Sequence, residues 1–297
     1  MNRASVAGIV VAAYGRHSVV VTAEHDRLVC VTRGRRTDLV VGDRVQSRAT
    51  GGGTGVIERI EPRRNAFSRA DSRRVKRIAA NVDQIGYVIA PQPPFSESLL
   101  VRALAAAAKA DARALIIVNK RDLLDAMAEI EPRLAVYERL GYRVLRIAPK
   151  PEPSQARDAL LPLLAGQTTA LAGQSGMGKS TLVNALIPQA ELQTREISKA
   201  LGTGRHTTTF TRAFELPQGG TVIDTPGFQT FGIEHLSASE FQHTLPDFEP
   251  LLGRCRFHNC KHAEEPGCAV RAAARSGLLD ARRYALYREI AAELHWG

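Results

Sequence analysis

Short apolar runs rich in valine and isoleucine, separated by glycine and polar residues, dominate the first 65 positions of the chain. The runs cover 6–12, 18–22, 27–32, 41–45 and 56–60. About five short strands separated by turns are typical of a small closed barrel. The pattern therefore predicts an all-β domain of the OB type over residues 1–68. The glycine run at 51–55 precedes no helical pattern, so we interpret it as a hairpin loop and not as a dinucleotide-binding turn.

Beyond this region, apolar runs alternate with stretches of helical periodicity. Expected strands cover 84–90, 114–118, 143–147, 168–172 and 221–223, and expected helices cover 98–110, 132–140, 158–164 and 179–186. Such alternation is typical of a doubly wound parallel sheet. We therefore predict a central α/β domain over residues 69–232.

The last part of the chain has a third pattern, with short helices, a loop rich in Cys and His, and a closing helix at 277–294. The apolar stripe of that helix consists of Leu279, Leu286, Ile290 and Leu294. A helical C-terminal domain is expected over residues 233–297. The chain of 297 residues is thus predicted to be a multidomain protein.

A glycine-rich loop joins the expected strand at 168–172 to the expected helix at 179–186. Its glycines allow backbone N–H groups to surround a β-phosphate, Lys179 can reach the β- and γ-phosphates, and Ser180 can ligate Mg²⁺. The helix N-terminus adds a favourable dipole. The predicted phosphate-binding residues are Gly173, Gln174, Ser175, Gly176, Met177, Gly178, Lys179, Ser180 and Thr181.

An NKxD motif follows the strand at 114–118 and predicts the base. Its residues are Asn119, Lys120, Arg121 and Asp122. The Asp122 carboxylate can accept hydrogen bonds from N1–H and the exocyclic amine of guanine, a pair of donors that adenine does not offer. Asn119 is expected to tie the base region to the phosphate loop, and the stem of Lys120 to cover the ring. The two motifs together predict a site for GTP and GDP.

A DxxG motif at 224–227 predicts the switch that senses the γ-phosphate. Asp224 can hold Mg²⁺ through a water molecule, and the Gly227 N–H can meet the γ-phosphate. Between this motif and the phosphate loop lies the segment 204–210, which contains three consecutive threonines. One of them is expected to close over Mg²⁺ in the GTP state. Thr208 is the candidate, although the sequence leaves the choice among the three open.

The residue that follows the DxxG motif bears on the rate of hydrolysis. Phe228 stands where Ras-like enzymes carry the glutamine that orients the attacking water, and Gln229 comes one position later. Intrinsic hydrolysis is therefore expected to be slow and to need outside help. His206 is a candidate for positioning the water, and a surface or packing role is the alternative.

The order of these motifs is unusual. The guanine motif at 119–122 precedes the phosphate loop at 173–180, and the DxxG motif follows both. In ordinary small GTPases the phosphate loop comes first and the base-recognition motif comes near the end. The order predicts a circularly permuted GTPase whose switch lies at the C-terminal edge of its domain, next to the C-terminal region.

Three of the four cysteines cluster near the C-terminus in the pattern Cys255-x4-Cys260-x-His262-x5-Cys268. Three thiolates and one imidazole can form a closed tetrahedral zinc site, which favours one structural Zn²⁺ per chain. His258 is the alternative to His262 as the nitrogen ligand. Cys30 lies in a β-run and is expected to be a small core residue.

Charge and hydropathy restrict the partners. The formal net charge is +10, and arginines cluster at 33–36 and 59–77, which favours a polyanionic partner. The chain contains neither an apolar run of the roughly 18 residues that a membrane span needs nor a signal-peptide pattern at its start. We therefore expect a cytoplasmic protein with no membrane partner.

These pieces together resemble the RsgA (YjeQ) family of circularly permuted GTPases, which depend on the small ribosomal subunit. The resemblance rests on the β-barrel head, the segment ANVDQ at 80–84, NKRD, GQSGMGKST, GRHTTT, DTPGF and the segment 255–270. It implies GTP hydrolysis stimulated by the 30S subunit and a role in late maturation of that subunit. It also implies contacts of the barrel and the zinc domain with 16S rRNA, and zinc ligation by Cys255, Cys260, His262 and Cys268. We further expect a monomer.

One segment departs from the family pattern. The family usually shows a Ser-Ala-Lys-like loop after the strand ending at Ile147, where this chain has Ala148-Pro149-Lys150.

Two rival functions fit parts of the sequence. One is a regulatory G protein that binds a protein partner and no RNA, which the arginine-rich segments oppose. The other is an ATP-dependent RNA remodeller, which Asp122 opposes.

Overall fold

The N-terminal region is a five-stranded barrel. A computed structural model of the protein describes residues 5–32, 38–69, 76–188, 190, 211–225 and 231–296. The barrel strands are β1 (Val6–Tyr14), β2 (His17–Thr22), β3 (Arg27–Thr32), β4 (Arg44–Gly51) and β5 (Thr54–Ile60). They follow the order β1-β2-β3-β5-β4, and β4 pairs back onto β1 to close the barrel. The small core inside contains Val10, Val20, Cys30, Val45 and Ile57. The predicted OB-type barrel is confirmed.

The fourth barrel strand lies later in the chain than predicted. Residues 41–45 were expected to be extended, but β4 begins at Arg44. Gly42 has φ +89°, and a Cβ there would lie 2.1 Å from the carbonyl oxygen of Ala80. The Asp43 carboxylate accepts a hydrogen bond from the Val40 N–H at 2.9 Å. Gly42 and Asp43 therefore form a turn against the start of the central domain, and the strand follows it.

The central region is a mixed sheet with helices on its faces. Its strands are β8 (Gln84–Ile89), β9 (Arg113–Val118), β10 (Arg143–Arg146), β11 (Thr168–Ala172), β12 (Arg212–Glu215) and β13 (Thr221–Asp224). Five of them are parallel in the order β10-β9-β8-β11-β13, and β12 is antiparallel to β13. A two-stranded hairpin of β6 (Ala66–Arg69) and β7 (Lys76–Ala80) precedes this sheet.

Four helices of the central region follow the expected alternation. They are α1 (Glu97–Lys109), α2 (Leu124–Arg139), α3 (Pro153–Leu164) and α4 (Lys179–Leu186). The prediction for α4 matches its bounds, whereas α2 was expected to start at Pro132 and instead runs through it. Proline is favoured in the first helical turn, which made Pro132 look like a helix start. Likewise α3 starts at Pro153, five residues before the expected position.

The C-terminal region is helical and packs on the central sheet domain. It contains α5 (Ala238–His243), a short 3₁₀ helix (Glu249–Leu251), α6 (Ala269–Ser276) and α7 (Ala281–Glu293). The closing helix begins four residues later than predicted. Gly277, with φ +78°, ends α6, and the Asp280 carboxylate caps α7 by accepting from the Arg282 N–H at 2.9 Å. The core of this region also includes Val101 and Ala105 of α1.

The barrel and the central sheet are joined edge to edge. Strand β1 pairs with β12 at Ala12 and Arg212, so the described strands from β10 to β4 form one continuous sheet of 11 strands. The nucleotide motifs lie in the central part of this sheet, and the Cys/His loop lies in the helical region. None of the described helices combines the length and apolar character needed to span a membrane.

Candidate nucleotide site and metal centre

The phosphate loop lies at the carboxyl end of β11, an inner strand of the parallel sheet. Strand β11, flanked by β8 and β13, leads into the loop, and α4 begins directly after Gly178. Ligands of open α/β sheets bind at the carboxyl ends of the strands. The α4 N-terminus and the loop N–H groups therefore offer an anion-binding position at this edge.

Two glycines of the loop are required by close contacts. Gly173 has φ +143°, and a Cβ there would lie 2.2 Å from the carbonyl oxygen of Val88 on β8. Gly178 has φ +86°, and a Cβ there would lie 2.1 Å from Asn119 Nδ2. The loop is therefore packed tightly against the ends of β8 and β9, and a side chain at either position would force the loop or its neighbour to shift.

Gly178→Ala is expected to weaken binding of a fluorescent GDP analogue by at least about tenfold, because the new methyl group would collide with Asn119. Gly219→Ala is the matched control. Gly219 has φ +79°, but nothing lies within 4 Å of its would-be Cβ. Its replacement is expected to cost about 1–2 kcal/mol of stability from the left-handed backbone alone, with unchanged nucleotide affinity. Equal loss of affinity in both variants would mean that glycine is required at position 178 because of backbone strain, and not because of the contact with Asn119.

The guanine motif contacts the phosphate loop directly. Asn119 is 4% exposed, its Nδ2 donates to the carbonyl oxygen of Met177 at 2.7 Å, and its Oδ1 accepts from the Lys120 N–H at 2.7 Å. Lys120 Nζ donates to the carbonyl oxygens of Gln92 and Gly176 at 2.6 and 2.9 Å. The Asp122 side chain is exposed at the same strand end. The structure therefore brings together the two motifs that chain order separates, and leaves the Asp122 carboxylate open to a base.

Arg121 connects the guanine motif to its neighbours. Its backbone N–H donates to the carbonyl oxygen of Ile147 at 3.1 Å, and its guanidinium donates to Gln155 at 2.8 Å and to Glu152. Ile147, which accepts this backbone hydrogen bond, immediately precedes residues 148–150, the segment that departs from the family pattern. The N–H of Glu152 donates to the carbonyl oxygen of Ala148 at 2.9 Å, which holds this loop at the start of α3.

Three charged side chains meet beside the phosphate loop. Lys179 Nζ donates to the carbonyl oxygens of Gly173 and Gln174, the latter at 2.8 Å. Burial lowers the pKa of Lys179, and the negative charge of Asp224 opposes that shift. Burial also raises the pKa of Asp224, against the opposing charges of Arg212 and Lys179. Lys179 and Asp224 are thus electrostatically coupled at the position where the phosphates and Mg²⁺ are expected.

Arg212 is a residue of this site that sequence reasoning missed. It is 6% exposed, and its Cα lies opposite that of Asp224 in the β12–β13 register. Burial lowers the pKa of Arg212, and Asp224 opposes that shift. The only sequence signal is a single arginine in a short strand shortly after the three threonines. Thr225 follows Asp224 in the chain, and its hydroxyl donates to the carbonyl oxygen of Leu171 at 2.6 Å. This hydrogen bond fixes the start of the DxxG motif against β11.

The remaining predicted switch residues lie outside the described part of the chain. They are His206, Thr207, Thr208, Thr209, Gly227, Phe228 and Gln229. Their predicted roles at Mg²⁺, the γ-phosphate and the attacking water stay predictions. Ser180 and Thr181, at the start of α4, are described and exposed.

The phosphate loop is also connected to the C-terminal region through α1. The Ser96 N–H donates to Gln174 Oε1 of the loop at 2.5 Å, and the Ser96 hydroxyl caps α1. The next residue, Glu97, is 7% exposed. Its carboxylate accepts hydrogen bonds from Arg133 of α2 at 3.0 Å and Tyr137 at 2.9 Å, and it pairs with Arg282 of α7 at 2.9 Å. Sequence reasoning missed this network.

The four predicted metal ligands lie together. The ligand atoms of Cys255, Cys260, His262 and Cys268 all lie within 4.8 Å of one another and could hold a metal ion. His262 Nδ1 is 3.5 Å from the sulfur of Cys255 and 3.5 Å from that of Cys268. A tetrahedral ion with Zn–S of about 2.3 Å and Zn–N of about 2.0 Å requires an S···N separation of roughly 3.5 Å. The donor set therefore fits zinc.

Hydrogen bonds and aromatic packing support the metal cluster. The N–H groups of Ala269 and Arg271 donate to the sulfurs of Cys255 and Cys268, each at 3.3 Å. Such N–H donors favour the thiolate form that a metal needs. Tyr284 donates to the carbonyl oxygen of His262 at 2.8 Å, and the ring of Phe248 packs edge-on against that imidazole.

The alternative ligand and the fourth cysteine lie elsewhere. His258 is exposed and is not part of the cluster. Cys30 is fully buried in the barrel core, as its β-run predicted, and burial raises the pKa of its thiol to about 11. Among the residues that the structure describes, His262 is thus the histidine that the cluster contains.

Comparisons with known proteins agree with this geometry. The model of the RsgA GTPase family matches residues 60–234. A Paraburkholderia phytofirmans protein named small ribosomal subunit biogenesis GTPase RsgA is 48% identical over 294 residues, covering 97% of this chain and 93% of that protein. A protein of the same name from Burkholderia pseudomallei strain K96243 is 48% identical over 287 residues, covering 96% of this chain and 91% of that protein.

Two solved structures are also similar along nearly the whole chain. The crystal structure of YjeQ from Thermotoga maritima has a TM-score of 0.76 at 29% identity and covers 98% of both chains. That of YloQ, described as a circularly permuted GTPase, has a TM-score of 0.72 at 30% identity, with 98% of this chain and 95% of that chain covered.

Proposed function

The chain belongs to the RsgA GTPase family, and on that premise we propose that it hydrolyses GTP slowly alone and faster when bound to the 30S ribosomal subunit. As a member of that family it is a circularly permuted GTPase of small-subunit biogenesis. Its proposed role is a late step in maturation of that subunit, through contacts with 16S rRNA. Because this partner is assembled in the cytoplasm, the protein is proposed to act there. Its monomeric state stays a prediction.

The observation that carries the proposal is the contact between the two nucleotide motifs. Asn119 of the guanine motif donates to Met177 of the phosphate loop, although the motifs occur in permuted order. We propose that Asp122 recognises guanine, that the loop 173–181 and Lys179 bind the phosphates, and that Ser180 and Asp224 hold Mg²⁺. The chemistry that Mg²⁺ would supply is neutralisation of charge on the β- and γ-phosphates.

The chain's own residues would prepare this chemistry. The α4 N-terminus and the loop N–H groups orient the phosphates, and Lys179 places a positive charge beside them. Asp224 remains close to two cations, Lys179 and Arg212, which favour its ionised form. Slow intrinsic turnover is expected from Phe228, which occupies the position of the water-orienting glutamine in Ras-like enzymes.

The C-terminal region is proposed to hold one structural Zn²⁺ and to contact rRNA. Four protein ligands leave no open coordination position, so the ion has a structural role. The net charge of +10 favours a polyanionic partner. The contacts of Glu97 with α7, next to the Ser96–Gln174 hydrogen bond, support a route by which binding at this region affects the phosphate loop.

GTP turnover by the purified chain is expected to rise at least about tenfold on addition of small ribosomal subunits, because an outside group must help to position the water. Phosphate release would be measured with and without subunits, at one fixed salt concentration, because contacts with rRNA are salt-sensitive. Lys179→Ala, which removes the phosphate-loop cation, is the control for contaminating activity. Equal turnover with and without subunits, or equal turnover of ATP and GTP, would contradict the proposal.

A further inference from the structure

The loop between the first two cysteines of the metal cluster exposes an aromatic ring. Residues 255–260 form this loop, here called the Phe257 loop, and Phe257 is 42% exposed at its centre. Phe241, Phe248 and Tyr287 of the same region are at most 1% exposed, and Tyr284 and Trp296 are partly buried. Phe257 contributes little to the core, and its ring is accessible to a partner.

The loop is held in a defined conformation. Cys255 and Cys260 belong to the metal cluster, so both ends of the loop are fixed. The Arg256 N–H donates to the carbonyl oxygen of Gly267 at 3.1 Å, and the Cys260 N–H donates to the carbonyl oxygen of Phe257 at 3.3 Å. A ring presented on such a fixed loop loses little conformational freedom when a partner covers it.

The surroundings of the ring are basic. Arg254, Arg256, His258 and Lys261 are all exposed within four residues of Phe257. The guanidinium carbon of Arg256 lies 5.6 Å from the ring centroid, a cation–π arrangement. Two nearby carboxylates are already engaged: Glu264 pairs with Arg271 at 3.2 Å, and Glu265 accepts from the N–H of Lys261 at 2.8 Å.

An exposed aromatic ring beside arginine is the arrangement by which proteins bind unpaired bases. Any base can stack on such a ring, and the guanidinium can contact the adjacent phosphate. We propose that Phe257 stacks against an unpaired base of the small-subunit rRNA and that Arg256 binds the neighbouring phosphate. This inference rests on the proposed function, since it names the chemistry by which the zinc-bearing region would bind the subunit.

The test compares side chains that keep or lose the aromatic face. Phe257→Leu keeps an apolar group but removes the ring, whereas Phe257→Trp enlarges it. Affinity for purified small subunits is expected to fall roughly tenfold in Phe257→Leu and to be retained in Phe257→Trp. Leu278→Ala is the matched control, because Leu278 is a 79% exposed apolar residue two positions beyond the end of α6, and its replacement is expected to leave the affinity unchanged.

Salt dependence and zinc content give further readouts. Phe257→Leu removes no charge, so the slope of log affinity against log salt should not change, whereas Arg256→Gln should reduce that slope by about one. Zinc content of each variant reports whether the loop is still folded. Wild-type affinity in zinc-loaded Phe257→Leu would overturn the stacking proposal while leaving the proposed function intact. Failure of the wild-type chain to bind subunits would overturn both.

A cross-linking experiment identifies the class of partner. p-Benzoylphenylalanine in place of Phe257 would be photo-activated in the complex with small subunits. A cross-link to rRNA at an unpaired nucleotide supports the proposal. A cross-link to a ribosomal protein would overturn it, because the ring would then fill an apolar protein pocket.

Discussion

Asp122→Asn is expected to lower the affinity for GTP by roughly 10²–10⁴-fold. The carboxylate is expected to accept two hydrogen bonds from guanine, and each bond to a charged group contributes about 1.5–3 kcal/mol. The amide can accept only one of them and turns its NH₂ group towards a donor. Xanthosine triphosphate has an oxygen where guanine has its amine, so the variant should prefer that nucleotide. Competition of both nucleotides against a fluorescent GDP analogue measures the change in preference.

Asp125→Asn is the matched control for this experiment. Asp125 is an exposed aspartate only three residues away, in the first turn of α2, and undergoes the same chemical change. Its variant should keep the wild-type preference for GTP. An unchanged GTP preference in Asp122→Asn would show that another group recognises the base, and the assignment of this motif would be wrong.

Cys260→Ser is expected to abolish zinc binding and to unfold much of the C-terminal region. Structural zinc contributes about 10–16 kcal/mol in small zinc-finger peptides, more than a helical region of this size can replace. The nucleotide site should survive, since its core is formed by the central sheet. Zinc would be measured by atomic spectroscopy, helix content by circular dichroism and GDP affinity by fluorescence.

Two further variants make the zinc result specific. Cys30→Ser makes the same substitution in the barrel core and should retain about one zinc per chain, even if the barrel is less stable. His262→Ala should lose zinc, whereas His258→Ala, which removes an exposed side chain, should keep it. Full zinc occupancy in His262→Ala would contradict the ligand set.

Much of the fold could be predicted because its strands are short apolar runs bounded by turn residues. The bounds failed where distant contacts determine the conformation. Residues 41–43 looked like the start of a strand, but Gly42 turns because its backbone packs on Ala80, nearly forty residues later. Pro132 looked like a helix start, and only the packing of Ile130 and Leu134 on the core shows that the helix continues through it.

The candidate nucleotide and metal residues could be predicted from the sequence because their spacing is local. The phosphate loop, the guanine motif and the Cys/His pattern each lie within a stretch of about fifteen residues or fewer. Arg212 and Glu97 were not accessible, because their significance comes from partners on other elements. Only strand pairing places Arg212 beside Asp224. In the sequence, Glu97 is an ordinary acidic residue of a first helical turn, and its pairing with Arg282 is visible only in the structure.

The pairing of β1 with β12 has a consequence for how the protein is built. Strand β12 is the edge strand of the central sheet, and an uncovered edge of this kind can pair with strands of other chains. All five barrel strands lie within residues 6–60, so the barrel can form early during synthesis, whereas β12 emerges from the ribosome about 150 residues after β5. The barrel is then already available to cover the exposed edge. We therefore expect the N-terminal region to cover this edge of the GTPase sheet as soon as β12 is synthesised.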